Sequence, residues 1–155
     1  MEDCARHAAS LYARLVLVVG PAGSGKTTSL WAFQNASGAP LVNVNLQVSR
    51  GLLDLDQRSR VLQFPKRLNA IVETEAHGAD TVLLDNTEVL FDADLNQDPL
   101  RLLKTLARHR TVIAAWSGIA EADALTYAEP GHREHKRYPL GGSAAPLIVN
   151  MESEA

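Results

Sequence analysis

Apolar residues cluster in five short stretches of the chain, each about as long as a β-strand. They are residues 15–19 (LVLVV), 41–46 (LVNVNL), 81–84 (TVLL), 111–116 (TVIAAW) and 147–149 (LIV). Runs without polar alternation are typical of a parallel sheet that is covered on both faces. The alternation of asparagine with apolar residues at 41–46 instead indicates a strand with one covered face. The pattern predicts five strands.

Segments with helical spacing separate these strands. Helices are predicted over residues 3–12, from Gly25 to about residue 36 with Gly38 as the stop, as a short turn capped by Ser49, from Pro65 to Gly78, and from Asp98 to about residue 109. Residues 118–142 show no clear period. Alternating strands and helices predict an α/β fold with a single doubly wound, mainly parallel five-stranded sheet and helices on both faces.

The bulk composition is ordinary for one globular domain, with 155 residues, 46% of them hydrophobic and 21% charged. We predict a single domain over residues 1–155, with its core at about residues 15–150. The net charge of −3 predicts no strong overall attraction to nucleic acid or anionic lipid, and a local basic patch stays open. One cysteine, Cys4, cannot form an internal disulfide. With no secretion signal and no membrane-length apolar run, the chain is predicted to be cytoplasmic.

A glycine-rich segment, GPAGSGKT, follows the first predicted strand directly and matches the pattern G-x-x-x-x-G-K-[ST] in full. Glycines let successive N–H groups converge on phosphate oxygens, and the following helix presents its positive end to the same phosphates. The predicted phosphate-binding residues are Gly20, Pro21, Ala22, Gly23, Ser24, Gly25, Lys26, Thr27 and Thr28. The segment therefore predicts a P-loop NTPase fold. ATP is preferred over GTP because the chain has no Asn-Lys-x-Asp guanine signature.

Four further residues complete the predicted site. Asp85 ends the strand at 81–84 and, with the Thr27 hydroxyl, is predicted to hold Mg²⁺. Many ATPases place a glutamate directly after this acid, but here Asn86 follows. Asn86 can orient water without accepting its proton, whereas Glu88 is a displaced candidate base or a surface carboxylate. Ser117 follows the strand at 111–116, where it would sense the terminal phosphate or merely form a turn.

Basic residues gather before and after the predicted strand at 111–116. Arg108, Arg110, Arg133 and Arg137 are candidates for an arginine that stabilises the transition state, in cis or on a neighbouring subunit. Contacts with DNA phosphates and a solvated charged loop are the alternatives, and the residues alone do not choose between them.

With these residues laid out, the chain resembles the BrxF family of small P-loop proteins from type III BREX bacteriophage-defence systems. The resemblance rests on LVLVVGPAGSGKT, VNVNLQVSRGLL, LLDNTEVLF, DPLRLLKTLARHRTVIAAWSG and LTYAEPGHREHKRYPL. It implies a cytoplasmic bacterial ATPase-like component that acts with larger BREX proteins, in which Asn86 is a family feature. The broader fold resembles the additional-strand ATPases, but with about forty residues after Ser117 no helical lid domain is expected.

These features together predict an Mg²⁺-dependent ATPase, slow alone or stimulated by partners, within an anti-phage complex. A nucleotide-gated interaction module without significant turnover is one alternative. A small-molecule kinase is another, although VNLQVSRG offers no acid to bind an acceptor before Asp54. Assembly of copies through the nucleotide site is expected from the resemblance to additional-strand ATPases.

Overall fold

A mainly parallel β-sheet flanked by helices forms the centre of the computed structural model, which describes residues 14–128, 132–140 and 145–151. The strands in these ranges are β1 (Leu15–Gly20), β2 (Leu41–Asn43), β3 (Thr81–Asp85), β4 (Thr111–Ala120), β5 (Ala124–Tyr127), β6 (Lys136–Pro139) and β7 (Leu147–Asn150). The helices are α1 (Lys26–Ser37), α2 (Val44–Leu52), α3 (Gln57–Ala76) and α4 (Pro99–Leu106), with short 3-10 helices at Thr87–Phe91 and Ala93–Leu95. The helix predicted over residues 3–12 lies outside the described residues.

Five of the strands form a parallel sheet in the order β2-β3-β4-β1-β7. β5 pairs antiparallel with the end of β4, and β6 pairs antiparallel with β5, so the described part of the sheet has seven strands. The α/β class and the mainly parallel sheet are therefore confirmed, whereas the predicted count of five strands omits the β5–β6 hairpin. None of the helices in the described ranges is long and apolar enough to cross a lipid bilayer.

Both faces of the central strands are covered, which explains the absence of polar alternation in β1. Leu15, Leu17 and Val19 face a core formed with apolar side chains of α2, α3 and α4. Val16 and Val18 face the opposite core, which contains residues of α1. All six residues of β1 are buried. Helices therefore lie on both faces of the sheet, as the sequence predicts.

The second predicted strand is only half as long as expected. β2 ends at Asn43, whose side chain accepts a hydrogen bond of 3.1 Å from the backbone N–H of Leu46 and so caps α2. Val44, Val48 and Leu52 then recur at helical spacing and are buried. The prediction of a strand over residues 41–46 is therefore wrong beyond Asn43, because the alternating pattern there coincides with a helix cap. Ser49, predicted to cap a turn, lies inside α2.

The prediction that Pro65 begins a helix is wrong, because Pro65 lies within α3. Asp56 caps this helix by accepting a 2.8 Å hydrogen bond from the Ser59 N–H. A proline has no N–H, so the carbonyl group of Val61, four residues earlier, loses its helical donor. The side chain of Gln97 replaces that donor, with Nε2 at 3.0 Å from the Val61 oxygen. A contact from outside the helix therefore compensates for the interior proline.

Replacing Gln97 with alanine is expected to lower the free energy of unfolding by about 1 kcal/mol, because the Val61 carbonyl loses its donor. In a Pro65→Ala background the new N–H of residue 65 can supply the helical hydrogen bond, so the loss should be smaller. Urea unfolding of the four proteins measures this coupling. Equal losses in both backgrounds would show that Gln97 does not compensate for the proline.

Residues 118–142, which showed no sequence period, include regular structure. β4 continues past the predicted end to Ala120, and β5 and β6 return beside it as an antiparallel extension. Trp116 Nε1 donates a 3.0 Å hydrogen bond to the Thr126 carbonyl and ties the extension to the sheet. The sequence pattern does not predict these strands because each is only four residues long and β6 is partly exposed. At α4, the predicted Asp98 cap and first-turn proline are confirmed, but the helix ends at Leu106.

Candidate functional site

The glycine-rich loop joins the carboxyl end of β1 to the amino end of α1. Gly25 has φ 93° and ψ 16°, a left-handed conformation that favours glycine and that turns the chain into α1. A Cβ atom added at Gly20 would overlap Ser24 Oγ and lie 2.8 Å from the Met151 carbonyl oxygen. The loop is therefore close-packed at one end and conformationally restricted at the other.

Lys26 lies beneath this loop and is buried although it carries a charge. Its Nζ donates hydrogen bonds of 2.8 Å to the Gly20 carbonyl and 2.7 Å to the Pro21 carbonyl. Burial lowers the pKa of Lys26, and the carboxylates of Glu88 and then Asp85 oppose that shift. The ammonium group is thus held at the loop where an anion would meet it.

Thr27 and Asp85, the predicted magnesium ligands, lie next to each other. Thr27 Oγ1 donates a 2.8 Å hydrogen bond to Asp85 Oδ2, although the two residues are 58 positions apart in the chain. The second carboxylate oxygen of Asp85 accepts a 2.9 Å hydrogen bond from the Asn86 N–H. A hydroxyl and a carboxylate are oxygen ligands of the kind that Mg²⁺ takes, together with phosphate and water. The donor set therefore fits the predicted ion.

The chain turns sharply after Asp85. Asn86 has φ 51° and ψ 56°, and the following 3-10 helix carries Glu88 back towards β4. There Glu88 Oε1 accepts a 3.0 Å hydrogen bond from Ser117 Oγ. Ser117 pairs in register with Gly20 across β4 and β1. Two residues that the sequence suggested separately are therefore direct partners beside the glycine-rich loop.

A cleft of about 390 Å³ unites these groups at the carboxyl edge of the sheet. Its lining consists of Ala22, Gly23, Gly25, Lys26, Thr27, Thr28, Asp85, Asn86, Glu88, Ala115 and Ser117. All five predicted catalytic residues are in this set. Gly20, Pro21 and Ser24, predicted to contact phosphate, form the loop behind the lining. The structure thus brings the predicted site residues together, while their roles stay predictions.

The basic residues lie elsewhere. Arg108 and Arg110 precede β4, at the opposite edge of the sheet from the cleft, and Arg110 forms a 2.7 Å ion pair with Glu73. In the hairpin region, Arg133 forms an exposed 2.8 Å ion pair with Asp94, and Arg137 is exposed on β6. No arginine among the described residues lines the cleft. Arg108 and Arg110 are therefore too far along the strand to act on it in cis.

Two residues that support the site carried no sequence signal. Thr87 Oγ1 donates a 2.5 Å hydrogen bond to the Ala115 carbonyl, which holds the turn after Asp85 against β4. The Met151 N–H donates a 2.7 Å hydrogen bond to the Val19 carbonyl, and Ser29 Oγ lies 3.7 Å from the Met151 sulfur. Only the pairing of β7 with β1 places Met151 behind the loop.

A search against protein-family models finds no match for this chain, and no curated protein matches it significantly. The geometry of the cleft is therefore the basis for inferring a function.

Proposed function

We propose that this chain is a P-loop NTPase that binds Mg²⁺-ATP in the cleft and hydrolyses it slowly. The observation that carries the proposal is the hydrogen bond between Thr27 and Asp85, 2.8 Å long, beside a lysine held under a glycine-rich loop. A hydroxyl, a buried carboxylate and an ammonium group at one helix terminus match what a magnesium-bound polyphosphate requires.

Each residue has a defined role in this proposal. Backbone N–H groups of the loop and the amino end of α1 bind the phosphates, and Lys26 offsets the charge of the terminal two. Thr27 and Asp85 hold Mg²⁺, which neutralises charge on the phosphate oxygens. Glu88 orients the attacking water and accepts its proton, and Ser117 positions the Glu88 carboxylate.

Slow turnover by the isolated chain follows from the composition of the cleft. No arginine in the described ranges lines it, so the charge that develops in the transition state lacks one common partner. A second protein or a second copy of this chain would supply that cation across the open side. Given the resemblance to BrxF, we propose other BREX proteins in the bacterial cytoplasm as those partners.

A nucleotide-gated interaction module is the second candidate. It is favoured by the described lining of the cleft, in which Asn86 follows Asp85 directly, where many ATPases have a glutamate. In this alternative, ATP reshapes the surface around the cleft and is released without significant hydrolysis.

Binding measurements with ATP, ADP and GTP, each with and without Mg²⁺, test the proposal by calorimetry. Asp85→Asn is expected to reduce the Mg²⁺-dependent gain in ATP affinity about 10-fold to 100-fold, because it weakens the ion's carboxylate partner. Asp54→Asn, at an exposed acid outside the cleft, is the matched control. Absence of ATP binding at millimolar concentration would overturn the proposal.

Phosphate release, measured alone and with candidate partners, separates the two functions. Release that Glu88→Gln abolishes while ATP binding persists supports the ATPase. Tight ATP binding without release in any mixture supports the nucleotide-gated module.

A further inference from the structure

Asn86 occupies an unusual backbone conformation for a residue that is not glycine. Its φ of 51° and ψ of 56° lie in the left-handed region. In the described residues, only His77, Asn86, Asn96 and Ala128 share a positive φ without being glycine. Asparagine adopts this conformation more readily than other L-residues because its short polar side chain can bond locally. A longer acid such as glutamate is disfavoured there.

This conformation is held by contacts on both sides of the turn. The Asn86 carbonyl accepts a 3.0 Å hydrogen bond from the Asn45 N–H at the start of α2. Its own N–H donates to Asp85, and the next residue, Thr87, bonds to the Ala115 carbonyl of β4. The backbone at position 86 is therefore fixed between α2 and β4.

The turn decides where the next carboxylate lies. An extended residue at position 86 would continue β3 and place its side chain on the opposite face of the strand from Asp85. The left-handed residue instead begins the 3-10 helix, and this helix sets Glu88 at 3.0 Å from Ser117 Oγ inside the cleft. The Glu88 charge also acts on Lys26, where it opposes the lowering of the lysine pKa by burial.

We infer that Asn86 is a positioning residue, whose left-handed backbone rather than its amide group sets Glu88 against Ser117 in the cleft. The inference rests on the proposed function, because it gives Glu88 the catalytic role that, in many ATPases, belongs to a glutamate directly after the acid at the position of Asp85. A glutamate at position 86 itself would disfavour the turn and displace Glu88. The unusual asparagine thus serves the site through geometry and not through contact with water.

A double-mutant cycle on the ratio of ATP to ADP affinity tests this inference. Glu88→Gln is expected to raise the ratio about fivefold, because a carboxylate no longer faces the terminal phosphate. Asn86→Ala should raise it similarly and should have no further effect in the Glu88→Gln background. Glycine tolerates a positive φ, so Asn86→Gly should change the ratio of ATP to ADP affinity much less than Asn86→Ala does. Asn86→Glu should slow phosphate release.

Asn96 offers a matched control, because it is exposed, has φ 49° and lies outside the cleft. Asn96→Ala introduces the same backbone strain and should leave the affinity ratio unchanged. The inference is overturned if the Asn86→Ala effect persists without the Glu88 carboxylate, if Asn86→Gly behaves as Asn86→Ala does, or if Asn86→Glu speeds release.

A nucleotide-independent measurement keeps this inference distinct from the proposed function. In the nucleotide-free protein, nuclear Overhauser contacts between the Glu88 and Ser117 side chains should vanish in Asn86→Ala and persist in Asn86→Gly and Asn96→Ala. If those contacts follow this pattern while no nucleotide binds, the positioning role stands and the proposed ATPase function fails. If they survive Asn86→Ala, the positioning role is wrong, whatever the nucleotide result.

Discussion

Replacing Lys26 with alanine is expected to weaken ATP binding by about 100-fold, which corresponds to the loss of about 3 kcal/mol. The Lys26 ammonium lies under the glycine-rich loop, where two backbone carbonyls hold it in place. A cation fixed in this way needs little reorganisation to meet a phosphate oxygen, so its removal costs a charge-assisted interaction that is already pre-organised. Calorimetric titration with Mg²⁺-ATP measures the change.

The fold should survive this substitution. Burial lowers the pKa of Lys26, so the folded nucleotide-free protein holds its ammonium group at a cost that partly offsets the two hydrogen bonds. We therefore expect little change in the thermal unfolding midpoint without nucleotide. Lys66→Ala, at an exposed lysine of α3, is the matched control and should bind ATP as the unmodified protein does. An ATP affinity within threefold of the original in Lys26→Ala would contradict the proposed site.

Replacing Gly118 with alanine is expected to lower the free energy of unfolding by about 3 kcal/mol. A Cβ atom at this position would overlap the Thr126 carbonyl and lie 2.9 Å from Trp116 Nε1. The β4–β5 pair would have to separate, and the hydrogen bond between Trp116 and Thr126 would be strained or lost. Urea unfolding, followed by tryptophan fluorescence, measures this loss, since the buried Trp116 becomes exposed on unfolding whereas Trp31 is exposed already.

Gly51 provides the matched control for this glycine substitution. It lies within α2, and an added Cβ would approach Ile71 Cδ1 at 3.7 Å, an ordinary contact. Gly51→Ala should therefore raise the free energy of unfolding by about 0.5–1 kcal/mol, through helix propensity. A Gly118→Ala protein as stable as the original would show that the β4–β5 extension adapts without cost.

The parts of this fold that the sequence predicts are those governed by local chemistry. The apolar run of β1, the glycine that stops α1 and the Asp98 cap of α4 each depend on neighbouring residues alone. The glycine-rich loop has the same character, because its spacing and its flanking elements are contiguous in the chain. The predicted bounds of β1, the end of α1 and the cap of α4 are confirmed nearly to the residue.

Two predictions failed because a distant partner decides the structure. Pro65 stays within α3 because Gln97, from another segment, satisfies the carbonyl that the proline leaves free. The β5–β6 hairpin depends on pairing with β4 and not on any period of its own. In both places a tertiary contact outweighs the local preference, which a pattern along the chain does not record.

The same distinction between local and tertiary determinants holds for the candidate site. The sequence by itself determined that this protein has a glycine-rich segment matching G-x-x-x-x-G-K-[ST], a buried strand ending in Asp85 and no glutamate at position 86, since these are properties of contiguous residues. Only the tertiary structure decided that Thr27 meets Asp85 across 58 positions and that Ser117 meets Glu88 across 29. The physical reason is that parallel strands bring their carboxyl ends to one edge of a sheet, and that a left-handed residue redirects the chain there.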